Sequence, residues 1–493
     1  MPLGLQAKPQ RPGQPVRVYS ESPAPRIKSI NILNPICVDI TGDPDERRSF
    51  HHFRVWTAYD LSNFFHSNFW QCLVFQIGHS ELAVKHALIA VGAAHETYLE
   101  KGVLGTKDNA LALQQYNKSI AHLRKRLSSP SRRGAEVTLI CCVLFICYES
   151  LRGDYKSALT HLHCGIHILN NRQDLAETTI GQRDVPYLDP QTDEKELIEH
   201  LTRLEVSACT FMEGKIKSEK FSWTNSPDPL PRPFLSLTDA RRSAEILLDL
   251  SLSLAISQHP QRCRPAVNSD LMLRRELLIK ACDKWSFELD ALLKSIPMAT
   301  LPANDLQAVF TLIMHMKATQ VIIRSSSQHG PDRFRPFEDE FKSILSIASW
   351  LISPTSSNPP DCYFSTLPAP LTSIFTSAST FSSTSPTSCV ATHKPITSNI
   401  GIIAPLYYVS KNSIDPAIRR AALDLLATPR REGIWESLMI AKIEHSTLDF
   451  PAHGVLNPID MHSVQSSVPG WKELFQGIPV GCVGKGDRLS HMH

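Results

Sequence analysis

The stretch VTLICCVLFICYESLRGDYKSALTHLHCGIHIL, residues 137–169, decides the fold. Its first part, VTLICCVLFICY, is apolar on every side, the pattern of a helix buried at the centre of a body. Arg152, Gly153 and Asp154 then interrupt it. Glycine accepts the left-handed conformation that closes a helix, and aspartate accepts the free amide hydrogens that open the next. Beyond the break, Ala158, Leu162, Gly165, Ile166 and Leu169 recur at spacings of three and four and share one face. Small Ala158 and Gly165 allow two helices to approach closely. Together these features predict an antiparallel helical hairpin at the heart of an all-α protein. The run of about twelve apolar residues is shorter than the roughly 20 a membrane span needs, so a core helix and no membrane partner are expected.

Helical patterns continue on both sides. A helix is expected over about 80–99, with Ser80 as its N-cap and Val84, Leu88, Val91, His95 and Tyr98 on one face. A second is expected over about 108–127, with Leu113, Tyr116, Ile120, Leu123 and Leu127 as its seam. After a polar gap at 171–192, four further patterns follow. They carry Leu197, Leu201, Leu204, Ala208 and Phe211; residues 238–256; Leu271, Leu278, Trp285, Leu289 and Leu292; and Leu306, Phe310, Ile313 and Ile322. Four prolines mark a loop over 223–233. Asp415 and Pro416 form a strong helix start, and another helix is expected near Ile434 and Trp435. The hairpin resembles a single tetratricopeptide unit, but no repeat holds a fixed period. No sustained strand alternation occurs.

Composition divides the chain. Residues 1–43 read as a flexible, proline-rich leader, and 44–352 as the main part of a large domain of packed helical hairpins. Residues 353–399 are dominated by serine, threonine and proline and read as a low-complexity loop. Residues 400–480 return to helical patterning as a further part of the same domain, and 481–493 form a tail. With 493 residues and 42% hydrophobic content, the chain can bury a large core. The net charge of +3 demands no dedicated nucleic-acid surface. The twelve cysteines are scattered through apolar stretches, and the first twenty residues carry no secretory pattern. The thiols are therefore expected to be reduced and buried.

Three segments in order resemble one family. They are ERRSFHHFR (46–54) with DLSNFFHSNFWQCLVFQIGHSELAVKHALIAVGAAHE (60–96), then ALQQYNKSIAHLRKRL (112–127) with LICCVLFICYESLRGDYKSALTHLHCGIHIL (139–169), and finally GIIAPLYYVSKNSIDPAIRRAALDLLATPRREGIWES (401–437). They are similar to the regulatory domain of fungal zinc-cluster transcription factors, known as the fungal-specific transcription factor domain. The resemblance implies an all-helical fold, action in the nucleus and control of a gene set, which in filamentous fungi is often a secondary-metabolite cluster. A helical domain of this size also offers apolar grooves for a small-molecule effector and flat faces for a protein partner or homodimer.

The family's DNA-reading module holds two zinc ions with six cysteines, in a pattern beginning Cys-x-x-Cys. No Cys-x-x-Cys occurs in these 493 residues, and only Cys37 precedes residue 45. The chain is therefore expected to lack the zinc cluster. DNA would be reached indirectly, or through a cluster restored by an upstream exon if the gene is longer than this sequence.

Other candidates carry less. His161, His163, Cys164 and His167 crowd one helix, yet no glutamate or further ligand completes a metal site, so a structural or surface role is expected. RKRLSSPSRR (124–133) is the densest basic stretch and reads as a solvated helix end, with nuclear import as the sharper alternative. Arg430 and Arg431 are expected to pair with carboxylates across a helix junction. GCVGKGD (481–487) lacks the spacing of a phosphate loop. No grouped nucleophile and base appears, so neither catalytic residues, metal nor cofactor is expected. A helical enzyme or ligand-binding protein is the rival reading.

Overall fold

Asp43 opens the first helix of the computed structural model. Its carboxylate accepts from the Glu46 amide at 2.8 Å, and Pro44 fills the first turn, where its missing N–H would be unbonded anyway. Helix α1 spans Pro44–His52, and a π-helical turn, Phe53–Thr57, carries it into α2, Ala58–Ser62. A second π-helical turn, Phe69–Leu73, precedes α3, Val74–Ser80. Then come α4 (Leu82–Lys101), α5 (Ala110–Leu127), α6 (Arg132–Arg152), α7 (Tyr155–Asn170) and α8 (Asp193–Phe211). Next are α9 (Leu237–Ser257), α10 (Asn268–Ser295) and α11 (Ala303–Ser325). A 3-10 turn, Pro331–Phe337, leads into α12 (Glu338–Ile352). The chain closes with α13 (Ile403–Asn412), α14 (Pro416–Leu426) and α15 (Ser437–Leu448). The structure describes residues 40–65, 67–101, 110–128, 131–170, 188, 193–211, 232–257, 268–296, 302–328, 330–352 and 395–448. The gap at 171–192 except Leu188, the loop at 223–233 except Arg232 and Pro233, the Ser/Thr/Pro-rich stretch up to residue 394 and the tail lie outside them.

The all-α class holds. Three strands of two residues each are the exception: β1 (Ile396–Thr397), β2 (Arg431–Glu432) and β3 (Trp435–Glu436). β1 runs parallel to β2, and β2 antiparallel to β3. Helix α4 is central, with α1, α3, α5 and α6 packed around it. The α6–α7 hairpin forms as its sequence predicts. Gly153 adopts φ 73° and ψ 16°, and the Asp154 carboxylate accepts from the Ser157 amide at 3.0 Å. Helix α8 packs on α6 and α7 and also touches α9 and α13. Helices α9 to α14 form a second group around α11 and α12.

Helix α6 extends past the predicted apolar run at both ends. It and α11 are each long and apolar enough to cross a membrane by composition alone. Their apolar windows are 89% and 78% buried within the helical body, so that surface is already packed against protein.

Several expected details differ. Ser80 does not cap α4. It ends α3, donating from Oγ to the Ile77 carbonyl at 3.0 Å, while Glu81 turns extended and its carbonyl starts α4. The seam of α5 is rotated from the apolar prediction: Leu113 and Leu127 are exposed, whereas Gln115 and Ser119 are fully buried. Those two polar residues are drawn inward by hydrogen bonds. Ser119 Oγ donates to the Ala83 carbonyl at 2.6 Å, and Gln115 Nε2 donates to Glu46 Oε1 at 2.7 Å. Trp435 lies on a strand, and α15 begins two residues further on, at Ser437. Helix α12 carries Phe341, Ile344, Ile347 and Leu351 into the core at helical spacing, although no helix is expected there from the sequence reading above.

Gly92 marks the tightest helix crossing. A Cβ there would overlap the Ser49 carbonyl of α1 and lie 3.1 Å from Phe53 Cβ. Backbone cannot yield as a flexible side-chain tip can. Gly92→Ala is therefore expected to destabilise the protein by about 1–3 kcal/mol, read as a lower urea midpoint. An unchanged midpoint would refute the close crossing.

Candidate functional site

Asn63 ends α2 with a positive φ of 51°. That abrupt exit leaves the last carbonyls of the helix without intrahelical partners. The segment 397–399, more than 330 residues later, supplies them. Ser398 donates to the Leu61 carbonyl from its amide at 3.2 Å and from Oγ at 2.9 Å. Asn399 Nδ2 donates to the Ser62 carbonyl at 2.5 Å. Ser398 Oγ also accepts from the Trp70 indole at 2.8 Å. A chain of bonds thus runs from indole to hydroxyl to carbonyl, each polarising the next.

The same segment reaches the second helix group. Asn399 Oδ1 accepts from Arg241 Nη1 at 3.1 Å, and the Arg241 guanidinium covers the Phe65 ring at 4.8 Å. Arg241 Nε lies 3.8 Å from Glu245, one turn further along α9. Glu245 is held side-on by Arg203 of α8, with Nε donating at 2.6 Å and Nη2 at 3.3 Å. Burial, then the nearby Arg203 charge, pushes the Arg241 pKa down to about 10. Arg241 remains a cation at neutral pH.

Glu432 organises the other end. Its carboxylate accepts from the Ile402 amide at 2.8 Å and the Ile403 amide at 2.7 Å, at the N-terminus of α13. This satisfies orphan donors and sets a negative charge at the positive end of the helix. Arg430 Nη1 approaches the same carboxylate at 3.5 Å. Burial still raises the Glu432 pKa, against these lowering partners. A Cβ on Gly401 would overlap the carboxylate, so glycine is what allows it to seat. His315 of α11 bonds the Gly401 carbonyl through Nε2 at 2.6 Å. A carbonyl only accepts, so Nε2 carries the proton. Burial pushes the His315 pKa down to about 4 and keeps the ring neutral.

Between these groups lies a cleft. Arg203, Leu204, Ser207, Thr210 and Phe211 line it from α8, and Glu245 and Leu248 from α9. His315, Gly401, Ile403, Ala404, Glu432 and Trp435 complete the walls. Its cavity volume is about 40 Å³. The walls are mostly apolar, with a few converging polar groups. Arg203 is 4% exposed, and its Nη1 has no hydrogen-bond partner.

The residues singled out in the sequence fall elsewhere or serve the frame. Arg431 Nη2 donates to Glu436 at 3.1 Å, its Nη1 bonds the Ser150 carbonyl, and the Tyr155 hydroxyl donates to Glu436 at 3.1 Å. Arg431 thus meets its carboxylate where α6, α7 and the small sheet join, whereas Arg430 approaches Glu432 at the start of α13. His161 shares a hydrogen bond of 2.9 Å with the Tyr116 hydroxyl, and burial pushes its pKa down to about 4. His163 is half-buried, while Cys164 and His167 are exposed. No group of three or more His, Cys, Asp or Glu side chains able to hold a metal gathers among the described residues. In the basic stretch, Arg126 pairs with Glu81 at 3.4 Å and Arg132 with Glu194 at 3.2 Å, leaving Arg124 and Lys125 exposed. Residues 129 and 130 of that stretch and GCVGKGD lie outside the described residues. Cys141, Cys142 and Cys282 are buried and free, and burial raises the Cys142 thiol to about 12.

Residues 48–237 match the model of the family described as the fungal specific transcription factor domain. The match contains all but the first two residues of the first two segments of resemblance, and the α8 wall of the cleft. The third segment, 401–437, lies beyond it. A stretch of 110 residues is 36% identical to the aspercryptin biosynthesis cluster-specific transcription regulator of Emericella nidulans. That alignment covers 21% of this chain and 18% of the regulator, so the chain spans under a fifth of the relative's length. No solved structure matches.

Two outcomes follow for the polar seam. Asn399→Ala removes one of two donors to the Ser62 carbonyl, which keeps the Phe65 amide at 3.2 Å, and strands one Arg241 donor; it is expected to cost about 1–3 kcal/mol, measured by urea denaturation, and a loss indistinguishable from zero would contradict the seam. His161 and His315 refuse protons that the unfolded chain binds near pH 6.5. Stability is therefore intact above pH 6.5 and falls as pH drops toward 4, by on the order of 2–3 kcal/mol per histidine. Urea midpoints at pH 7, 5.5 and 4.5 check this, and His315→Gln should flatten the slope.

Proposed function

We propose that this chain is a transcriptional regulator acting in the nucleus on a fungal gene set, with the helical body as its regulatory part. The domain match over 48–237, spanning α1 to α8, carries the reading. The name of the Emericella nidulans relative supports a narrower form, control of genes for one secondary metabolite. The regulator is non-enzymatic: Glu245 is occupied by Arg203, Glu432 by two amides and His315 by a carbonyl, leaving these groups structural.

A protein partner, a second copy or another regulator, completes the unit. Trp56, Tyr59 and Val55 are exposed on one side of the body, at 56%, 57% and 42%, and offer apolar contact area. No Cys-x-x-Cys occurs within residues 1–493. DNA is therefore reached through that partner, or through a zinc cluster on a longer product of the gene.

Deleting the gene and profiling transcripts tests the reading. A coherent set of neighbouring genes is expected to change, and a tagged chain is expected in the nucleus and on the promoters of that set. Unchanged transcripts together with a cytosolic tag would overturn it.

A further inference from the structure

Helix α10 is held from one side. Leu271, Leu278, Cys282, Trp285, Leu289 and Leu292 are buried at helical spacing, and the helix packs on α9 and α11. The Trp285 indole donates to the Ala240 carbonyl of α9 at 2.9 Å, and Arg275 Nε donates to the Ile323 carbonyl of α11 at 3.2 Å. These bonds fix the rotation of the helix. Its other face carries large apolar side chains where a solvated face is usually polar. Met272, Leu273, Leu277 and Phe287 are 40–67% exposed. Leu273, Leu277, Lys280, Lys284, Phe287 and Ala291 follow one another at alternating steps of four and three, the spacing of a helix–helix seam.

We propose that this face binds a second copy of the chain, with the two α10 helices antiparallel about a twofold axis level with residue 282. The seam is complementary to its own reverse. Leu277 of each copy then meets Phe287 of the other, and Leu273 meets Ala291. Lys280 and Lys284 form a polar layer between these apolar ends, a device that fixes register at some cost in stability. Asp283 lies on the same flank as Lys280 and almost level with the axis, so each Lys280 reaches the Asp283 of the other copy. Glu288 stands one turn beyond Lys284 in the same helix. The charges at the axis therefore balance. Other charges of α10 are already paired: Asp270 with Arg274 at 2.9 Å, Glu276 with Arg275 at 3.1 Å and Asp290 with Lys294 at 2.6 Å. Asp283 approaches Arg324 at 3.4 Å, but both side chains are exposed, and such a pair is worth little. The four apolar side chains offer on the order of 450 Å², somewhat over half of the roughly 800 Å² that each partner of a standard interface buries. The lysine stems and Ala291 add to this. The contact is thus sized for weak, reversible pairing. It narrows the regulator's partner to a second copy, yet it does not rest on the regulatory reading, because it is measured on the purified chain.

Sedimentation equilibrium of the full chain tests the contact. The average mass is expected to rise from one copy toward two between about 1 and 200 μM. Phe287→Glu and Leu277→Glu, both at exposed positions, should each weaken association at least about tenfold while the urea midpoint stays unchanged. Leu113→Glu, at an exposed apolar position on α5, should leave association as it was. Asp283→Lys sets a third cation beside the two lysines at the axis and should weaken association. Adding Lys280→Glu to that variant restores an opposite-charge pair and should recover it. A chain that stays monomeric throughout, a dimer indifferent to Phe287→Glu and Leu277→Glu, or an Asp283→Lys loss that Lys280→Glu does not recover would overturn the proposal. Transcript profiling separates the two readings. A dimer without a transcript effect sinks the regulatory role, and a transcript effect from a monomeric chain sinks this contact.

Discussion

The Leu61 carbonyl is the constraint from which the rest of the molecule follows. Asn63 turns the chain out of α2 through a positive φ; the Ser62 carbonyl meets the Phe65 amide at 3.2 Å, and the Leu61 carbonyl takes its backbone donor from Ser398. An unpaired buried carbonyl costs on the order of 1–3 kcal/mol, so a donor must be found. Ser398 and Asn399 provide it, and that choice fixes the path of everything C-terminal to them. β1 is held beside β2, Glu432 is delivered to the start of α13, and Trp435 reaches Tyr155 and Phe211. One irregular helix end near the N-terminus thus dictates where a segment more than 300 residues away must lie.

The seam is polar where a core is usually apolar, and this has a physical meaning. Buried ion pairs such as Arg203–Glu245 add little net stability, because desolvation offsets most of their attraction. They do specify one arrangement, since any slip strands a charge. Arg203, Arg241, Asn399 and Glu432 therefore act more as register pins than as adhesive. The adhesive is the apolar interior: α6, buried all round, and the fully buried Trp70, Trp285 and Trp435.

Much of the fold was legible in the sequence, for reasons that differ by element. The α6–α7 hairpin is announced by an apolar run, Gly153 and Asp154, all of which act locally. Asp415 caps α14 as its proline-adjacent position implies, accepting from the Ala417 amide at 2.8 Å. The α5 seam is misread by apolar spacing because Gln115 and Ser119 are buried for their hydrogen bonds, a tertiary effect. The two-residue strands exist only because 395–397 and 431–436 meet. The cleft is assembled from positions 203, 245, 315, 401 and 432, and no local pattern unites them. One signal was available: Glu199 and Arg203 on α8, and Arg241 and Glu245 on α9, have the same four-residue spacing in opposite charge order. Two helices packed through that pattern make complementary pairs, and Arg242–Glu199 and Arg203–Glu245 are formed in the structure.

Native-state hydrogen exchange, resolved by residue, bears most directly on the claim that the seam is part of the core and not a peripheral attachment. The amides of Ser398 and Gly433, which donate to Leu61 and Thr397, and those of Ile402 and Ile403, which donate to Glu432, are the reporters. If the seam holds the molecule together, these amides exchange only with global unfolding, as slowly as those of Leu144 and Phe145 in α6. If they exchange orders of magnitude faster while α6 stays protected, the C-terminal segment opens by itself and the account fails.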